Sequence, residues 1–231
     1  PRPMHSGSSR HPAHGTRGKF WASRRITRLY RIFRSSVPKH HGSQRNIRYE
    51  WRRRRHFFLI KRTHFAGVLA RSGYFPVSEL ATFRHINSRL QGHPTTHEKL
   101  PGVRIASGSL GQGLSVAIGA AQAKKLNGDS KLVYSLHGDG ELQEGQNWEA
   151  IMYASAKHVD NLIATIDLNG KQIDGSTDEV LAMGSLRAKF EAFDWTVIDI
   201  KEGNNLDAII SGMNEAKSLT GKGNPVCVLL H

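Results

Sequence analysis

The chain has 231 residues, 38% of them hydrophobic, which is enough for one domain with a sizeable core. A single cysteine, Cys227, excludes a disulfide framework and a metal site built from several cysteines, and it is typical of a reducing compartment such as the cytoplasm. The net charge of +14 is unevenly distributed, because residues 1–62 carry +17 and residues 63–231 carry −3. No apolar run is long enough to span a membrane, so a membrane partner is not expected.

Residues 1–65 are rich in arginine and contain a single acidic residue, Glu50. A basic arm of this kind can bind the phosphates of DNA or RNA. An Arg- and Ser-rich, acid-poor composition is also typical of an organelle transit peptide. The aromatic residues are scattered and no nucleic-acid-binding module is recognisable. Nucleic acid is therefore the less favoured partner, although a nucleic-acid-binding protein remains an alternative.

Regular structure can be predicted from residue 68 onward. A first helix is expected to end at Gly73, with Pro76 beyond it, because glycine and proline stop helices. Ser78 is predicted to be the N-cap of a short helix that continues to residue 86.

The segment 107–113 is rich in glycine and leads into a predicted helix near 114–126. Such a junction presents free backbone N–H groups and the positive end of the helix dipole to an anion. The segment is neither a Walker loop, since it lacks the G-x-x-x-x-G-K pattern, nor a dinucleotide fingerprint. It predicts a binding site for an anionic group, with a flexible loop as the alternative.

Two apolar runs, 131–137 and 161–167, predict strands that each end in a polar turn. The residues 141–157 between them predict a helix, so the three elements form a strand–helix–strand unit. Both turns then lie at the carboxyl edge of a parallel sheet, where α/β proteins bind ligands. We therefore predict an α/β fold with a parallel sheet flanked by helices. Further elements are predicted at 184–193 (helix), 195–200 (strand), 205–218 (helix) and 225–230 (strand).

Asp139 and Asn169 are the candidate metal ligands in these two turns. They are 30 positions apart in the sequence, but the strand–helix–strand unit brings them side by side. A carboxylate and an amide oxygen are hard ligands of the kind that Mg²⁺ takes, together with substrate phosphates and water. Gly138 and Gly140 have no Cβ, so the backbone can lie close to a bound group. Asp-Gly and Asn-Gly are also common hairpin turns, and it is their pairing that predicts a magnesium–diphosphate site.

Six short motifs between residues 138 and 175, namely GDG, EG, WEA, NLI, D-x-N and QIDG, resemble the thiamine-diphosphate motif of transketolases. The resemblance covers roughly residues 66–231 and implies the thiamine-diphosphate-binding fold, truncated to the amino-terminal half of a transketolase. The implied activity is transfer of a two-carbon ketol unit between sugar phosphates of the pentose phosphate pathway, with thiamine diphosphate and Mg²⁺ as cofactors. Deoxyxylulose-phosphate synthase and 2-oxo acid dehydrogenase subunits share GDG and the asparagine, and they remain alternatives.

The resemblance also implies roles for individual residues. His93, in the sequence QGHP, would face the substrate, and its proton affinity suits proton transfer near neutral pH. Glu144 would lie close to the cofactor's activating carboxylate across a dimer interface, whereas Glu141 is interpreted as an acid favoured by the helix dipole. The implied cofactor contacts are Gly108, Ser109, Leu110, Gly138, Asp139, Gly140 and Asn169. The implied metal ligands are Asp139, Asn169 and the backbone carbonyl of Lys171.

The residues before position 67 depart from the family pattern. Phe57 to Leu59 look like the strand that precedes the family's second histidine motif, and His64 lies near the expected place of that catalytic histidine. An incidental surface histidine is an equally good interpretation of His64. Codons exist for Lys61 to Gly67 that, read one nucleotide later, give Asn-Gly-His-Ile-Ser-Pro, which is close to the missing motif. We hypothesise a frameshift across much of 1–66, which resequencing of the source DNA would test.

Two domains are therefore predicted, a basic and family-divergent segment over 1–66, for which disorder is one expectation, and a thiamine-diphosphate-binding domain over 67–231. The glutamate that activates the cofactor in the family belongs to a second domain that this sequence does not contain. The chain is expected to be inactive alone and to pair with a carboxyl-terminal half or subunit. A homodimer or a heterotetramer is the expected assembly.

Overall fold

The computed structural model describes residues 65–231 and, for the backbone, residues 57–60. Several sequence-based predictions lie outside the described residues. They are the role of His64, the reading-frame hypothesis, and the transit-peptide and nucleic-acid interpretations of the basic segment.

Among the residues that the structure describes, five parallel strands form a single sheet with the strand order β1-β2-β3-β5-β4. They are β1 (Phe57–Ile60), β2 (Val133–Gly138), β3 (Leu162–Asp167), β4 (Thr196–Ile200) and β5 (Val226–Leu230). The central strands are apolar along their length, as expected for a sheet covered on both faces. The predicted α/β fold with a parallel sheet is confirmed, and the strand expected at Phe57 to Leu59 is part of it.

Six α-helices accompany the sheet in the described part of the chain. They are α1 (Phe65–Arg71), α2 (Gln112–Leu126), α3 (Gly145–Ala156), α4 (Thr177–Leu181), α5 (Leu186–Ala192) and α6 (Leu206–Leu219). Two short 3₁₀ helices lie at Val77–Thr82 and Gly140–Gln143. None of the helices described here combines the length and the apolar character that crossing a membrane requires.

The helices divide between the two faces of the sheet. Helices α2, α3 and α5 contribute Leu114, Ile151 and Phe190 to a core on one face. Helix α6 contributes Ile209 and Met213 to the core on the other face. Because successive strand residues point to opposite faces, neighbouring residues of one strand enter different cores. The sheet is thereby buried, and its carboxyl edge is left as the place where loops from β2 and β3 converge.

A third apolar cluster supports the irregular segment that carries the QGHP sequence. Phe65 and Ala70 of α1 pack in it with Phe75, Leu90 and Leu100. The segment between the 3₁₀ helix Val77–Thr82 and α2 has no α-helix or strand of its own. Its position is therefore set by this cluster and by its contacts with neighbouring loops.

Three sequence-based element predictions differ from the structure. Ser78 is not an N-cap, because the 3₁₀ helix starts at Val77 after Pro76, which places Ser78 inside it. The helix predicted at 141–157 is divided at Glu144, whose backbone is extended and caps α3. Helix α4 was not predicted at all, although Ser176 and Glu179 form a reciprocal capping box at its start.

Candidate cofactor-binding site

The two predicted turns meet through the side chain of Asp139. Its Oδ1 accepts a hydrogen bond of 2.8 Å from the Gly140 N–H, and its Oδ2 accepts one of 2.6 Å from the Gly170 N–H. Gly170 directly follows Asn169, and its φ of +65° is in the left-handed region that favours glycine. Because β2 and β3 are adjacent and parallel, with Gly138 opposite Asp167, the turns after them lie at the same edge of the sheet.

Asp139 is a buried carboxylate, with 3% of its surface exposed. Burial raises the pKa of Asp139 and the negative charge of Asp167 adds to this, while the N–H groups of Gly140 and Gly170 oppose it. A carboxylate that is buried among neutral hydrogen-bond donors gains from a nearby cation, because opposite charge favours its ionised form. The electrostatics of this turn therefore suit a bound metal ion.

The side-chain amide of Asn169 is oriented by its neighbours. Its Oδ1 accepts a hydrogen bond from the Lys171 N–H at 3.1 Å, and its Nδ2 donates to Asp167 Oδ2 at 3.0 Å. Lys171 is exposed and forms an isolated bridge with Ser176, so the loop after Asn169 folds back on itself. This arrangement keeps the asparagine and the Lys171 backbone beside the turn that contains Asp139.

The oxygen donors present fit a magnesium ion better than a transition metal. Within residues 65–231, no group of three or more His, Cys, Asp or Glu side chains is placed to hold a metal ion. The candidate set instead contains one carboxylate, one amide oxygen and one backbone carbonyl, from Asp139, Asn169 and Lys171. Mg²⁺ is commonly held by one or two carboxylates and completes its coordination with phosphate oxygens and water.

Gly140 is required by a close approach between the two turns. A Cβ built on Gly140 would lie 2.7 Å from the Cβ of Gln172, which is closer than side chains can pack. The backbone at Gly140 therefore fits against the loop after Asn169 only because residue 140 has no side chain.

The side chain of Glu141 connects the Gly-rich segment to the turn that contains Asp139. Glu141 Oε1 accepts a hydrogen bond of 3.0 Å from the Gly111 N–H, and Oε2 accepts one of 3.3 Å from the Gly138 N–H. Gln146 Nε2 donates to the Leu110 carbonyl at 2.9 Å. The Gly-rich segment, the GDG turn and the start of α3 are therefore joined into one loop cluster at the carboxyl ends of β2 and β3.

His93 lies against the Gly-rich segment, and its side chain is exposed. A Cβ built on Gly108 would lie 3.1 Å from the His93 ring atoms Cγ and Cδ2. The Ser107 N–H also donates to the Pro94 carbonyl at 3.0 Å. The structure thus brings the QGHP sequence and the Gly-rich segment together, as a shared site requires.

Glu144 is exposed at the start of α3 and lies beside Gly111. A Cβ built on Gly111 would lie 2.9 Å from the Glu144 Cβ. The Glu144 carboxylate is therefore exposed next to the loop cluster.

A family comparison identifies the protein class to which this site belongs. Residues 50–230 match the family model described as the thiamine diphosphate binding domain of transketolase. The chain belongs to the transketolase family. The family assignment made from the motifs between residues 138 and 175 is confirmed, as is the thiamine-diphosphate-binding character of the domain.

Proteins named as transketolase subunits and proteins named as transketolases are among the relatives. The chain is 39% identical over 179 residues to an apulose-4-phosphate transketolase subunit of Actinobacillus succinogenes, covering 76% of this chain and 63% of that protein. It is 40% identical over 164 residues to a 6-deoxy-6-sulfo-D-fructose transketolase subunit of Clostridium sp., covering 71% and 58%. It is 36% identical to human transketolase over 165 residues, covering 69% and 26%. The chain thus spans about 60% of the length of the two subunits.

Solved transketolase structures share the fold. A transketolase mutant from Pichia stipitis superposes with a TM-score of 0.69 at 24% identity, covering 91% of this chain and 36% of that one. Transketolase from Leishmania mexicana gives the same TM-score and identity and covers 90% and 36%. The described fold is therefore the transketolase fold over about a third of those chains.

Sequence reasoning did not anticipate two contributors to the loop cluster, Glu141 and Gln146. Glu141 was interpreted only as an acid in the first turn of a helix, and Gln146 was not considered. Their partners, Gly111 and Leu110, are 30 and 36 positions earlier in the chain. The glycine at position 111 was the available signal, because it marks a place where another segment can approach closely.

Proposed function

We propose that this chain is the part of a transketolase that binds the diphosphate of the cofactor. The complete enzyme would transfer a two-carbon ketol unit between sugar phosphates with thiamine diphosphate and Mg²⁺. The observation that carries the proposal is the hydrogen bond between Asp139 and Gly170, which joins the two turns that bear the candidate metal ligands. Family membership supports the cofactor, and two relatives whose names denote transketolase subunits support the role of a separate subunit.

In this proposal Asp139, Asn169 and the Lys171 carbonyl would hold Mg²⁺, which would offset the negative charge of the cofactor's diphosphate. The Gly-rich segment presents backbone N–H groups at the N-terminus of α2 to the same diphosphate. When bound, thiamine diphosphate supplies a nucleophilic carbon and an electron sink for cleavage of the carbon–carbon bond. The contribution of the chain is to bind and orient the cofactor.

His93 is the proposed substrate-facing residue. It is exposed next to Gly108, so a sugar hydroxyl or carbonyl that reaches the cofactor from this side meets the imidazole. Imidazole can both donate and accept a proton near neutral pH, which suits a reaction that moves a proton on a ketose hydroxyl. Glu144 is proposed to face the carboxylate of a partner polypeptide that activates the cofactor. In this pairing, one carboxylate helps the other to retain a proton.

The proposed assembly brings this chain together with a carboxyl-terminal transketolase half in a homodimer, or with a separate carboxyl-terminal subunit in a heterotetramer, in the cytoplasm. The chain alone is expected to be inactive. The relatives are named for different ketoses, apulose 4-phosphate and 6-deoxy-6-sulfo-D-fructose. The substrate is accordingly proposed at the level of a phosphorylated or similarly anionic ketose.

Calorimetry with thiamine diphosphate tests the proposal directly. The full chain is titrated with and without Mg²⁺, and with and without a carboxyl-terminal transketolase subunit. We expect Mg²⁺-dependent binding that becomes tighter with the subunit, and we expect Asp139→Ala to abolish it. Glu215→Ala, an exposed acid on α6 at the opposite face, is the matched control and should bind as the unmodified chain does. Undiminished binding by Asp139→Ala would refute the proposed site.

A further inference from the structure

We propose that Glu141 is a positioning residue that clamps the Gly-rich segment onto the GDG turn and thereby forms the diphosphate pocket before the cofactor binds. This inference rests on the proposed function and goes beyond it, because it gives a role to a residue outside the implied ligand set. In this role the carboxylate holds two backbone segments in register and does not itself contact the cofactor.

The two oxygens of the Glu141 carboxylate bind two different segments of the chain. Oε1 accepts from Gly111, which caps α2, and Oε2 accepts from Gly138, which precedes the candidate metal ligand. The residue is 4% exposed, so water does not compete freely for these bonds. A single side chain therefore links the N-terminus of α2 to the end of β2.

The backbone of Glu141 is itself held in place. Asn147, which is fully buried, donates from Nδ2 to the Glu141 carbonyl at 2.6 Å. Gln146 binds the Gly-rich segment one residue before the point where Glu141 does, through the Leu110 carbonyl. The 3₁₀ helix Gly140–Gln143 and the start of α3 thus bind adjacent backbone groups of the loop, the Gly111 N–H and the Leu110 carbonyl.

The carboxylate of Glu141 is unusual at a buried position. Burying a carboxylate is costly unless hydrogen bonds compensate it, and an apolar side chain would fill the same space more cheaply. The carboxylate gains hydrogen bonds from N–H groups of the two segments that are proposed to hold the diphosphate and its metal, and the buried His137 Nδ1 lies 3.7 Å from its Oε2. The N–H groups in the first turn of a helix have no partner within the helix, so fixing the capping residue Gly111 fixes where they point.

Preorganisation explains why such a clamp would matter for binding. A loop that is already ordered does not lose conformational freedom when the ligand arrives, and affinity rises accordingly. Without the clamp, the Gly-rich segment would have to be ordered during binding. Its glycines give it more backbone freedom than other residues would.

The test compares Glu141→Gln with Glu215→Gln, a change of an exposed glutamate on α6 at the opposite face of the sheet. The Glu141→Gln side chain keeps the shape of glutamate, but its amide NH₂ group faces a backbone N–H. One of the two hydrogen bonds to Gly111 and Gly138 is therefore lost. Hydrogen exchange of the ligand-free full chain is measured for peptides that contain Gly111. We expect exchange there to be faster by about tenfold or more in Glu141→Gln and unchanged in Glu215→Gln.

Calorimetry with thiamine diphosphate at saturating Mg²⁺ provides the second measurement, at a temperature where all variants are folded. We expect Kd to rise by about tenfold for Glu141→Gln and to stay unchanged for Glu215→Gln. Gln146→Ala loosens the same loop without touching the buried carboxylate, and about a threefold rise is expected for it. This variant keeps the test informative if Glu141→Gln does not fold.

The outcomes separate this inference from the proposed function. If the unmodified chain does not bind thiamine diphosphate, the proposed function fails, while the exchange measurement still tests the clamp. If the unmodified chain binds and the variants bind equally well, the positioning role is overturned. A lower Tm with unchanged Kd and unchanged exchange at Gly111 would likewise overturn it and leave Glu141 as a stabilising residue.

Discussion

Two aspartates near the carboxyl edge of the sheet have opposite environments. Asp199, in β4, is bound by cationic or ring side chains: Arg187 Nε donates to its Oδ2 at 2.6 Å, and His231 Nε2 lies 2.8 Å from its Oδ1. Asp139, after β2, has backbone N–H groups of Gly140 and Gly170 as its closest partners. The first carboxylate is neutralised by the chain itself, and the second is suited to receive a cation from outside.

The acidities of the two carboxyl groups reflect this difference. Burial raises the pKa of Asp139, and the N–H groups around it do not fully offset this effect. Burial also raises the pKa of Asp199, but the bonds from His231 and Arg187 outweigh it, so the pKa of Asp199 lies below its ordinary value. A carboxylate that is paired with charged side chains of the same chain, as Asp199 is, therefore indicates a structural role. A carboxylate that is buried among backbone N–H donors, as Asp139 is, indicates a candidate metal ligand.

The largest expected effect comes from exchanging each aspartate for asparagine. Asp139→Asn removes the charged metal ligand, so we expect Mg²⁺-dependent binding of thiamine diphosphate to weaken by about a hundredfold or more. Asp199→Asn removes an ion pair away from the loop cluster and should leave this Kd unchanged. Calorimetry on both variants measures the contrast. Equal losses of affinity would show that the two carboxylates do not differ as the structure indicates.

A second test concerns the contact between the two turns. Gly140→Ala places a Cβ against that of Gln172, so we expect the turns to separate and cofactor binding to weaken by about tenfold. The double variant Gly140→Ala with Gln172→Gly removes the obstructing atom and should recover most of the affinity. Failure of the double variant to recover would mean that the close approach is not the cause.

Gly119 provides the matched control for a glycine-to-alanine change. It lies in the middle of α2, is exposed, and a Cβ there would meet nothing within 4 Å. Gly119→Ala is therefore expected to leave cofactor binding unchanged and to raise the free energy of unfolding by about 0.5–1 kcal/mol. Urea unfolding measures this gain, and a loss of stability would contradict it.

A further test concerns the pH dependence of the Asp199 contribution, which is of similar size. Because the folded-state pKa of Asp199 is lowered, its ionised form stabilises the fold at pH values above its unfolded-state pKa, about 4. This stabilisation is lost as the pH falls through the folded-state value. At pH 7, Asp199→Asn should lower the free energy of unfolding by about 1 kcal/mol, because its partners are partly exposed.

Urea unfolding at several pH values checks this sign. The difference between the unmodified chain and Asp199→Asn should shrink steadily below about pH 4. A difference that stays constant down to the lowest pH would show that packing, and not the charge of Asp199, is responsible.

The strands and the longer helices could be predicted from sequence because their apolar patterns are local. The strand expected at 161–167 is Leu162–Asp167, and the helix expected at 205–218 is Leu206–Leu219, capped by Asn205. The meeting of the two turns was also predictable, since a parallel strand–helix–strand unit places successive turns at one edge. The metal and cofactor roles of the residues in those turns remain predictions.

The features that sequence reasoning missed depend on short elements or on distant contacts. Helix α4 has five residues, too few for a periodic pattern, although the Ser176 capping box was a readable signal. The sequence does not indicate that the helix predicted at 141–157 is interrupted at Glu144, because the acids and glutamines around this residue are good helix formers. The bond from Glu141 to Gly111 spans 30 positions, and no local pattern specifies a partner at that distance.

The placement of β1 has a practical consequence for shortening the chain. Residues 57–60 pair with β2 from Phe57 opposite Val133 to Ile60 opposite Leu136, at the rim of the sheet as far as the structure describes it. A deletion designed on charge alone, ending at residue 66, would remove this strand and expose the backbone of β2 as a new edge. Unprotected apolar edges recruit other chains and aggregate, so an expression variant without the arginine-rich part should retain Phe57 onward.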